Sequence, residues 1–356
     1  MTRQVLVGGV PVGGGAPVTI QSMTNTDTRD PATTVAQIQR LEAAGCEIVR
    51  SAVFDMNAAR ALRDIVDGIS IPLVADVHFD YRLAVAAVEN GCKKLRINPG
   101  NIGAPDRVKA VVDCCKAHHI PIRIGVNGGS LNREARANHP DDSVAAMVES
   151  ALDHVRLLER EGFYDTVISV KHSNVRYTVA AMRRLHELVD YPLHVGVTET
   201  GSGQAGLIKS AAGIGSLLMD GIGDTIRVSL TGDPVDEVLA GKRILAALGV
   251  RKDDVEIISC PTCGRTRVDL LSIANFVNEH VRHDAGYLKI AVMGCAVNGP
   301  GEASDADIGI AFGQGNGVLF RKGLKEAAGP VSEILDRLVR EANDMLLNGK
   351  SHTSAV

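Results

Sequence analysis

Eight short segments rich in valine and isoleucine recur along the first 230 residues, and this repeat restricts the fold more than any other feature. The segments are VTIQSM (18–23), CEIVRSAV (46–53), PLVADV (72–77), KKLRIN (93–98), PIRIGV (121–126), TVISVK (166–171), LHVGVT (193–198) and TIRVSL (225–230). Amphipathic stretches of helical length separate them. Apolar strands that alternate with helices are typical of a parallel sheet covered by helices. Eight such units favour a closed (β/α)8 TIM barrel, with an open doubly wound sheet as the alternative.

Local signals mark where these elements begin and end. Asp30 is suited to cap a helix whose first position is Pro31, and Gly45 is suited to stop it. The preceding stretch, VLVGGVPVGGGAPVTI, predicts a short glycine-rich hairpin before the first barrel strand.

The composition changes around LGVRKDD (248–254), which predicts a linker. Beyond it we expect the strand VEIIS, a helix over 267–283, the strands YLKIAVMG, DIGIAF and GVLFRK, and a final helix over about 328–347. The chain is therefore predicted to form a substrate-binding barrel domain over 1–248 and a small α/β domain over 249–356.

Composition excludes several classes of function. A net charge of −4, no tryptophan and only 3% aromatic residues argue against binding to nucleic acid or to a membrane surface. No apolar stretch approaches the roughly 20 residues that span a bilayer, and the amino terminus lacks the pattern of a signal peptide. An odd number of cysteines, seven, then predicts a cytoplasmic protein with reduced thiols that are available to bind metal.

Charged and polar side chains lie where the predicted strands end. The basic ones are Arg50, Arg96, Arg123, Lys171 and Arg227, and the others are Asp76, His78, Asn98, Asn127, Glu199 and Ser229. In a barrel these positions converge on the carboxyl-terminal mouth. Five cations exceed the two acids, Asp76 and Glu199, so the excess charge predicts an anionic ligand. The sequence contains no Walker A motif, so a small phosphorylated or diphosphorylated molecule is favoured over a nucleotide.

Other features of the barrel region carry less information. The polar stretch 127–142 after the fifth strand is long enough to suggest a functional loop. Cys114, Cys115, His118 and His119 resemble a metal site but precede a strand, at the barrel end that usually serves stability, so packing is the favoured interpretation. Cys46 and Cys92 begin strands and are predicted to be small core residues.

Three cysteines of the second domain, Cys260, Cys263 and Cys295, form the strongest candidate metal site. Three thiolates suit either zinc or an iron–sulfur cluster. The nearest oxygen-rich candidate for a fourth ligand is Glu302. A carboxylate is readily displaced from a soft iron site, which is useful if a substrate must reach the metal. Zinc held by the same residues stays open.

The motifs resemble those of the 4-hydroxy-3-methylbut-2-en-1-yl diphosphate synthases, the iron–sulfur enzymes of the non-mevalonate (MEP) pathway of isoprenoid biosynthesis. They are QSMTNT (21–26), ADVHFDY (75–81), LRINPGNIG (95–103), IPIRIGVN (120–127), SVK (169–171), GDTIRVSL (223–230), CPTCGR (260–265) and GCAVNGPGEA (294–303). In this order the motifs extend along almost the whole chain. No large domain separates the barrel from the cluster region, as in the compact bacterial form of the family.

This resemblance implies a cofactor, a reaction and partners. It implies a 4Fe-4S cluster on Cys260, Cys263, Cys295 and Glu302. It also implies reductive ring opening and dehydroxylation of 2-C-methyl-D-erythritol 2,4-cyclodiphosphate to (E)-4-hydroxy-3-methylbut-2-enyl diphosphate. Reduced flavodoxin or ferredoxin would supply two electrons. The enzyme would be a homodimer in which one subunit's cluster domain covers the other subunit's barrel mouth.

The resemblance also suggests roles for the mouth residues. The substrate-binding set is Arg50, Arg96, Arg123, Lys171, Arg227 and Ser229, and the catalytic set is Glu302, Glu199, Asp76, His78 and Asn127. Two functions of other classes stay open from the residues alone. One is a zinc-stabilised lyase or aldolase acting on sugar phosphates with Lys171 as a Schiff-base residue, and the other is a non-catalytic cluster carrier.

Overall fold

The chain divides into two compact units, Met1–Leu248 and Gly249–Val356. The computed structural model describes residues 1–129, 131–252, 254–283, 286–295, 301, 304–313 and 315–353. The assignment of substrate binding to the first unit and of a cluster to the second stays a prediction.

The first unit is a parallel eight-stranded barrel. Its strands are β3 (Thr19–Met23), β4 (Ile48–Ala52), β5 (Leu73–Asp76), β6 (Lys94–Ile97), β7 (Ile122–Asn127), β8 (Thr166–Lys171), β9 (His194–Val195) and β10 (Thr225–Ile226). They pair in the order β8-β7-β6-β5-β4-β3-β10-β9. A parallel bridge between Ile168 and Leu193 joins β8 to β9 and completes the ring. The predicted barrel is confirmed, and the open sheet is wrong.

Two predicted strands are shorter than expected. β9 and β10 have only two residues each, where the sequence predicted six. The Arg227 N–H still donates to the Val195 carbonyl at 3.0 Å, but regular ladder pairing stops there. Beyond β9, Glu199 has a left-handed backbone conformation, with a φ of 54°, and turns the chain. The carboxyl ends of these strands are therefore irregular and contribute to the barrel mouth.

Helices cover the outside of the barrel. They are α1 (Pro31–Ala43), α2 (Met56–Asp67), α3 (Tyr81–Glu89), α4 (Pro99–Ile102), α5 (Pro105–His118), α6 (Arg133–Asn138), α7 (Ser143–Arg160), α8 (Val175–Leu188), α9 (Gly203–Met219) and α10 (Pro234–Ala247). The Asp30 cap is confirmed, since its carboxylate accepts the Thr33 N–H at 3.2 Å. The apolar faces of the helices and the outward strand residues form one continuous core.

A hairpin closes the amino-terminal end of the barrel. Strands β1 (Val5–Val7) and β2 (Val10–Val12) pair antiparallel, as predicted. Val7 and Val12 pack on Ile48 and Val74, which stand near the starts of β4 and β5. This apolar plug blocks one end of the barrel, so ligands must enter from the carboxyl end.

The second unit is a five-stranded sheet with helices packed on it. Its elements are β11 (Val255–Ser259), α11 (Leu270–His280), β12 (Leu288–Met293), β13 (Ile308–Phe312), β14 (Asn316–Arg321), β15 (Leu324–Pro330) and α12 (Val331–Thr353). β11, β12 and β13 are parallel, while β14 and β15 continue the sheet antiparallel. The sequence did not predict β15, because LKEAAGP lacks the apolar pattern of a strand and lies at the sheet edge. Within the described ranges, no helix has the length and apolar character needed to cross a membrane.

Candidate active site

The carboxyl ends of the barrel strands surround a pocket of about 170 Å³ whose walls are mostly charged. Its lining residues are Arg50, Asp76, His78, Arg96, Arg123, Gly125, Asn127, Ser169, Lys171, Thr198, Arg227 and Ser229. All five basic residues picked out at the strand ends therefore share one pocket. We call this set of residues the cationic pocket.

The strand register explains why these side chains meet. Asp76 on β5 is level with Arg96 on β6, and Arg96 is level with Arg123 on β7. Neighbouring residues in a ladder point to the same face of a sheet, so all three point into the barrel. Asn127 and Lys171 are aligned in the same way higher on β7 and β8.

Two glycines make room for the cations. A β-carbon on Gly125 would lie 2.5 Å from Arg96 Nε. A β-carbon on Gly196 would lie 2.4 Å from the Arg227 carbonyl oxygen and 2.7 Å from Lys171 Nζ. Any larger residue at these positions would occupy space that the basic side chains use.

Asp76 is the central acid of the cationic pocket. Its carboxylate lies 3.1 Å from Arg96 Nη1 and 3.7 Å from Arg50 Nε. Burial would raise the pKa of this carboxyl, but Arg50, His78 and Arg96 outweigh burial and hold the pKa well below its usual range. Asp76 is therefore ionised and neutralises part of the charge of two arginines.

Arg227 has an acidic partner that the sequence analysis missed. Glu237 on α10 is buried and lies 3.3 Å from Arg227 Nη2. It also accepts hydrogen bonds from the Ser22 hydroxyl at 3.2 Å and the Leu230 N–H at 2.9 Å. A rule based on strand ends could not find Glu237, because it lies in the first turn of a helix. The only sequence signal was an acid at a helix position that faces the barrel.

Arg123 and Lys171 have no such partner. Across the described parts of the chain, neither side chain has a carboxylate within ion-pair distance. Arg123 is only 2% exposed, and its Nε and Nη1 atoms have no hydrogen-bond partner in the part of the chain that the structure describes. Burial, followed by the charges of Arg227, Arg123 and Arg50, lowers the pKa of Lys171 well below its ordinary value. The pocket thus holds more positive charge than its acids neutralise, as the sequence predicted.

Glu199 does not line the cationic pocket. It lies in an adjacent cavity of about 350 Å³ whose lining also includes His172, and Asn127 and Thr198 are common to the two cavities. Its side chain is exposed, and its backbone carbonyl accepts a hydrogen bond from Lys209 Nζ at 3.1 Å. The expectation that Glu199 is one of two acids that balance the cations is wrong, since Glu237 occupies that place.

The long loop after β7 runs beside this second cavity. Gly128 and Gly129 line the cavity, Ser130 lies outside the described residues, and α6 follows. His139, just after α6, forms a 2.6 Å contact with Glu149 on α7. The loop is therefore anchored to the barrel wall at its far end.

The three cysteines of the second unit lie at one edge of its sheet. Cys260 directly follows β11, and Cys295 lies two residues after the parallel neighbour β12. The Gly294 N–H donates to Cys260 Sγ at 3.3 Å. Cys263 is exposed, and a hydrogen bond from the Arg265 backbone lowers the pKa of its thiol. Cysteine sulfurs are soft donors and fit an iron–sulfur cluster or zinc.

In the described part of the chain, the three cysteines do not form a closed ligand shell. Among the described residues, no three histidine, cysteine, aspartate or glutamate side chains come close enough together to hold a metal. The predicted fourth ligand, Glu302, lies outside the described residues. Cys260, Cys263 and Cys295 thus fit the implied group by the chemistry of their sulfur donors.

The remaining cysteines are packing residues, as predicted. Cys46, Cys92 and Cys115 are buried in the barrel core. His118 Nδ1 lies 3.0 Å from the Cys114 carbonyl oxygen in the last turn of α5, and His119 ends that helix in a left-handed conformation. Within the described ranges, neither histidine belongs to a group of side chains that could hold a metal.

The fold and the site define a class of protein: a (β/α)8 barrel with a cationic pocket at its mouth, followed by an α/β unit that carries three thiols. The model of the GcpE TIM-barrel domain matches residues 2–242, and that of the GcpE protein C-terminal domain matches residues 256–344. The chain belongs to the GcpE family, and the family resemblance predicted from its motifs is confirmed.

Several curated relatives match over nearly the full length. A protein of Clostridium perfringens is 58% identical over 90% of this chain and 92% of its own. Proteins of Caldanaerobacter subterraneus subsp. tengcongensis and Geobacter sulfurreducens are 54% and 53% identical, each over 97% of this chain and 98% of its own. All three are named 4-hydroxy-3-methylbut-2-en-1-yl diphosphate synthase (flavodoxin).

Solved structures of other enzymes share only the barrel. The dihydropteroate synthase of Stenotrophomonas maltophilia superposes with a TM-score of 0.53 at 16% identity, covering 70% of this chain and 99% of its own. An identity this low shows a common fold and carries no information about the ligand.

Proposed function

We propose that this protein is a 4-hydroxy-3-methylbut-2-en-1-yl diphosphate synthase. It would convert 2-C-methyl-D-erythritol 2,4-cyclodiphosphate to (E)-4-hydroxy-3-methylbut-2-enyl diphosphate. The substrate takes up two electrons and two protons, its ring carbon–oxygen bond to phosphate breaks, and one oxygen leaves as water. The observation that carries the proposal is the excess positive charge of the cationic pocket, above all the buried and acid-free Arg123.

The pocket residues would bind the two phosphates and stabilise charge on the leaving group. Arg123 and Lys171 are suited to this role because no carboxylate among the described residues occupies their donors. Preorganised cations are effective here because ligand binding excludes water and strengthens each interaction. Arg50, Arg96 and Arg227 would add donors while Asp76 and Glu237 hold them in place.

The adjacent cavity would receive the hydroxylated carbon chain. Asn127 and Thr198 line both cavities, so a ligand bound at the cations can extend towards Glu199. We assign to Glu199, Asp76, His78 and Asn127 the orientation of the ligand and the management of protons. Ser229, at the rim, would contribute a hydroxyl contact.

Cys260, Cys263, Cys295 and Glu302 would hold a 4Fe-4S cluster. When bound, such a cluster supplies single electrons and a Lewis-acidic iron. The chain's own contribution at Cys260 is the Gly294 N–H, which donates to Cys260 Sγ at 3.3 Å. We propose reduced flavodoxin as the electron donor because the relatives' names include it; ferredoxin is the alternative.

We further propose a homodimer in which each barrel mouth is completed by the partner's cluster unit. Helix α10 starts just after the mouth residue Ser229 and carries the chain about 21 Å along the barrel wall before the linker. A linker of six residues spans at most about 20 Å. In a dimer with twofold symmetry, each copy can supply its cluster unit to the barrel mouth of the other copy.

Anaerobic purification followed by turnover assays tests this function. We expect a brown protein with iron and sulfide in equal amounts that consumes the cyclodiphosphate under a strong one-electron reductant. A colourless protein with stoichiometric zinc would contradict the proposed cofactor. Full cluster occupancy without turnover would support a cluster carrier instead.

A further inference from the structure

Lys94 is a buried lysine inside the barrel that the proposed reaction does not use. It is 0% exposed and stands level with Val74 in the ladder, two residues before Arg96 on β6. Its side chain therefore points into the barrel interior, about 7 Å below the cationic pocket. In the described parts of the chain its Nζ has a single hydrogen-bond partner, Gln21 Oε1 at 3.4 Å.

The charged groups around Lys94 are nearly all positive. They are Arg50 on β4, Arg96 on its own strand and Arg123 on β7, and the buried base His194 on β9 also faces Lys94. The acid of the cationic pocket, Asp76, is already engaged by Arg50 and Arg96. A buried ammonium with no acid and several cationic neighbours is strongly disfavoured. Burial and the neighbouring arginines thus favour the neutral amine form of Lys94 while the pocket holds no anion.

We propose that Lys94 is a proton-binding site coupled to the cationic pocket, which takes up a proton when a phosphate-bearing ligand binds and releases it when the ligand leaves. The proposal rests on the proposed function, since it requires an anion in the pocket. The two arginines that oppose an ammonium at Lys94, Arg123 and Arg50, are pocket residues whose charge such a ligand would offset. The same binding event therefore removes the repulsion and adds negative charge above the amine.

His194 is a second buried base of the barrel interior, with a lower ordinary pKa than lysine. It is also 0% exposed, and neither of its ring nitrogens has a hydrogen-bond partner among the described residues. Burial, then Arg123, lowers the pKa of His194 well below 6.5. Burial, then Arg123 and Arg50, lowers the pKa of Lys94 well below 10.5, from a starting point about four units higher. An anion that offsets Arg123 acts on both groups, and Lys94 is the more basic of the two by its ordinary pKa.

Ligand binding should depend on pH, because binding changes the pKa of Lys94. The ligand raises the pKa of Lys94 from its lowered value in the free protein. At pH values between the free-state pKa and the bound-state pKa, the complex therefore binds one proton more than the free protein. Binding is then strongest below the free-state pKa and weakens as pH rises towards the bound-state pKa. By reciprocity, one coupled proton makes the dissociation constant rise about tenfold per pH unit within that window.

Calorimetry with inorganic pyrophosphate as the probe tests this coupling. The full-length protein, purified without oxygen, is titrated in buffers of different ionisation enthalpy to count the protons taken up. Lys94→Met keeps a long unbranched side chain without an amine, and Lys93→Met, at the exposed neighbouring position, is the matched control. Protonation of pyrophosphate itself and of Lys171 is common to all three proteins and cancels in the comparison.

We expect Lys94→Met to take up about one proton fewer per subunit and to lose the corresponding pH dependence of binding. Its melting temperature should be unchanged or higher, because it replaces an uncharged buried amine, and Lys93→Met should match the parent protein. Equal proton counts in Lys94→Met and the parent would overturn the role of Lys94 and leave the cationic pocket intact. Absence of pyrophosphate binding in the parent would overturn this proposal together with the proposed function.

Discussion

Arg123 shows most directly that the pocket is built for an anion. A buried guanidinium with two donor atoms unpartnered costs stability unless something else uses those donors. Asp76 is engaged by Arg50 and Arg96, so it leaves Arg123 available. The distribution of the acids, as much as that of the cations, therefore marks the position of the ligand.

Arg123→Ala should weaken binding of pyrophosphate and of the cyclodiphosphate by about 2–5 kcal/mol, because one desolvated contact to phosphate is lost. Calorimetry and kcat/KM measure the effect. Arg184→Ala, on the exposed face of α8, is the matched control and should bind like the parent. Unaltered binding in Arg123→Ala would show that its guanidinium is structural.

Asp76→Asn should destabilise the folded protein by about 3–5 kcal/mol at pH 7, since it leaves Arg96 and Arg50 without their acid. The pKa of Asp76 is depressed in the folded state, so its stabilising effect is present above the unfolded value of about 3.9 and decreases as pH falls below it. Denaturant unfolding of both proteins measures this. Their stability difference should shrink between pH 5 and 3 on this basis, and a difference that grows on acidification would contradict the ion pairs.

Individual strands and helices position these residues by leaving space as well as by presenting side chains. β9 is followed by Gly196, whose missing side chain leaves room for Lys171 Nζ and the Arg227 carbonyl. α10 contributes Glu237 from its first turn, next to the strand end it neutralises. Gly196 belongs to the predicted segment LHVGVT but lies just beyond the two-residue strand β9, and Glu237 lies in the helix that follows β10.

Gly196→Ala should lower stability by about 1–3 kcal/mol, because the new methyl group would lie against a backbone oxygen that cannot move freely. It should also weaken pyrophosphate binding by displacing Lys171. Thermal unfolding and calorimetry report the two effects. Gly232→Ala is the control, because a β-carbon there would meet nothing within 4 Å. If both variants behave like the parent, the close approach at Gly196 has no functional consequence.

At the scale of the whole molecule, the proposed chemistry needs both units of the chain. The cationic pocket belongs to the first unit, and Cys260, Cys263 and Cys295 belong to the second. A variant in either unit should therefore abolish turnover, although each unit keeps its own core.

Mixing inactive Cys263→Ser subunits with inactive Arg227→Ala subunits should restore up to about a quarter of the parent activity. At random exchange half of the dimers are mixed, and each mixed dimer has one intact pocket opposite one intact set of cysteines. Turnover after subunit exchange measures the recovery, with each variant alone as the control. No recovery in proven heterodimers would mean that each chain completes its own site.

The amino-acid sequence by itself determined the barrel, the apolar hairpin, the helix caps and the family. These depend on short-range patterns: the alternation of apolar strands and helices, a cap such as Asp30, and contiguous motifs such as CPTCGR. It also picked out all five basic residues of the pocket, because parallel strands in a barrel bring their carboxyl ends together wherever they lie in the chain.

Only the tertiary structure decided how the charges are matched. Glu237 rather than Glu199 neutralises Arg227, Arg123 has no acid within ion-pair distance among the described residues, and Lys94 lies buried beneath the arginines. No sequence pattern reports these facts, because they depend on side chains from strands and helices far apart in the chain. Their distances follow from barrel closure and strand register, and in a buried site those distances determine which groups are charged.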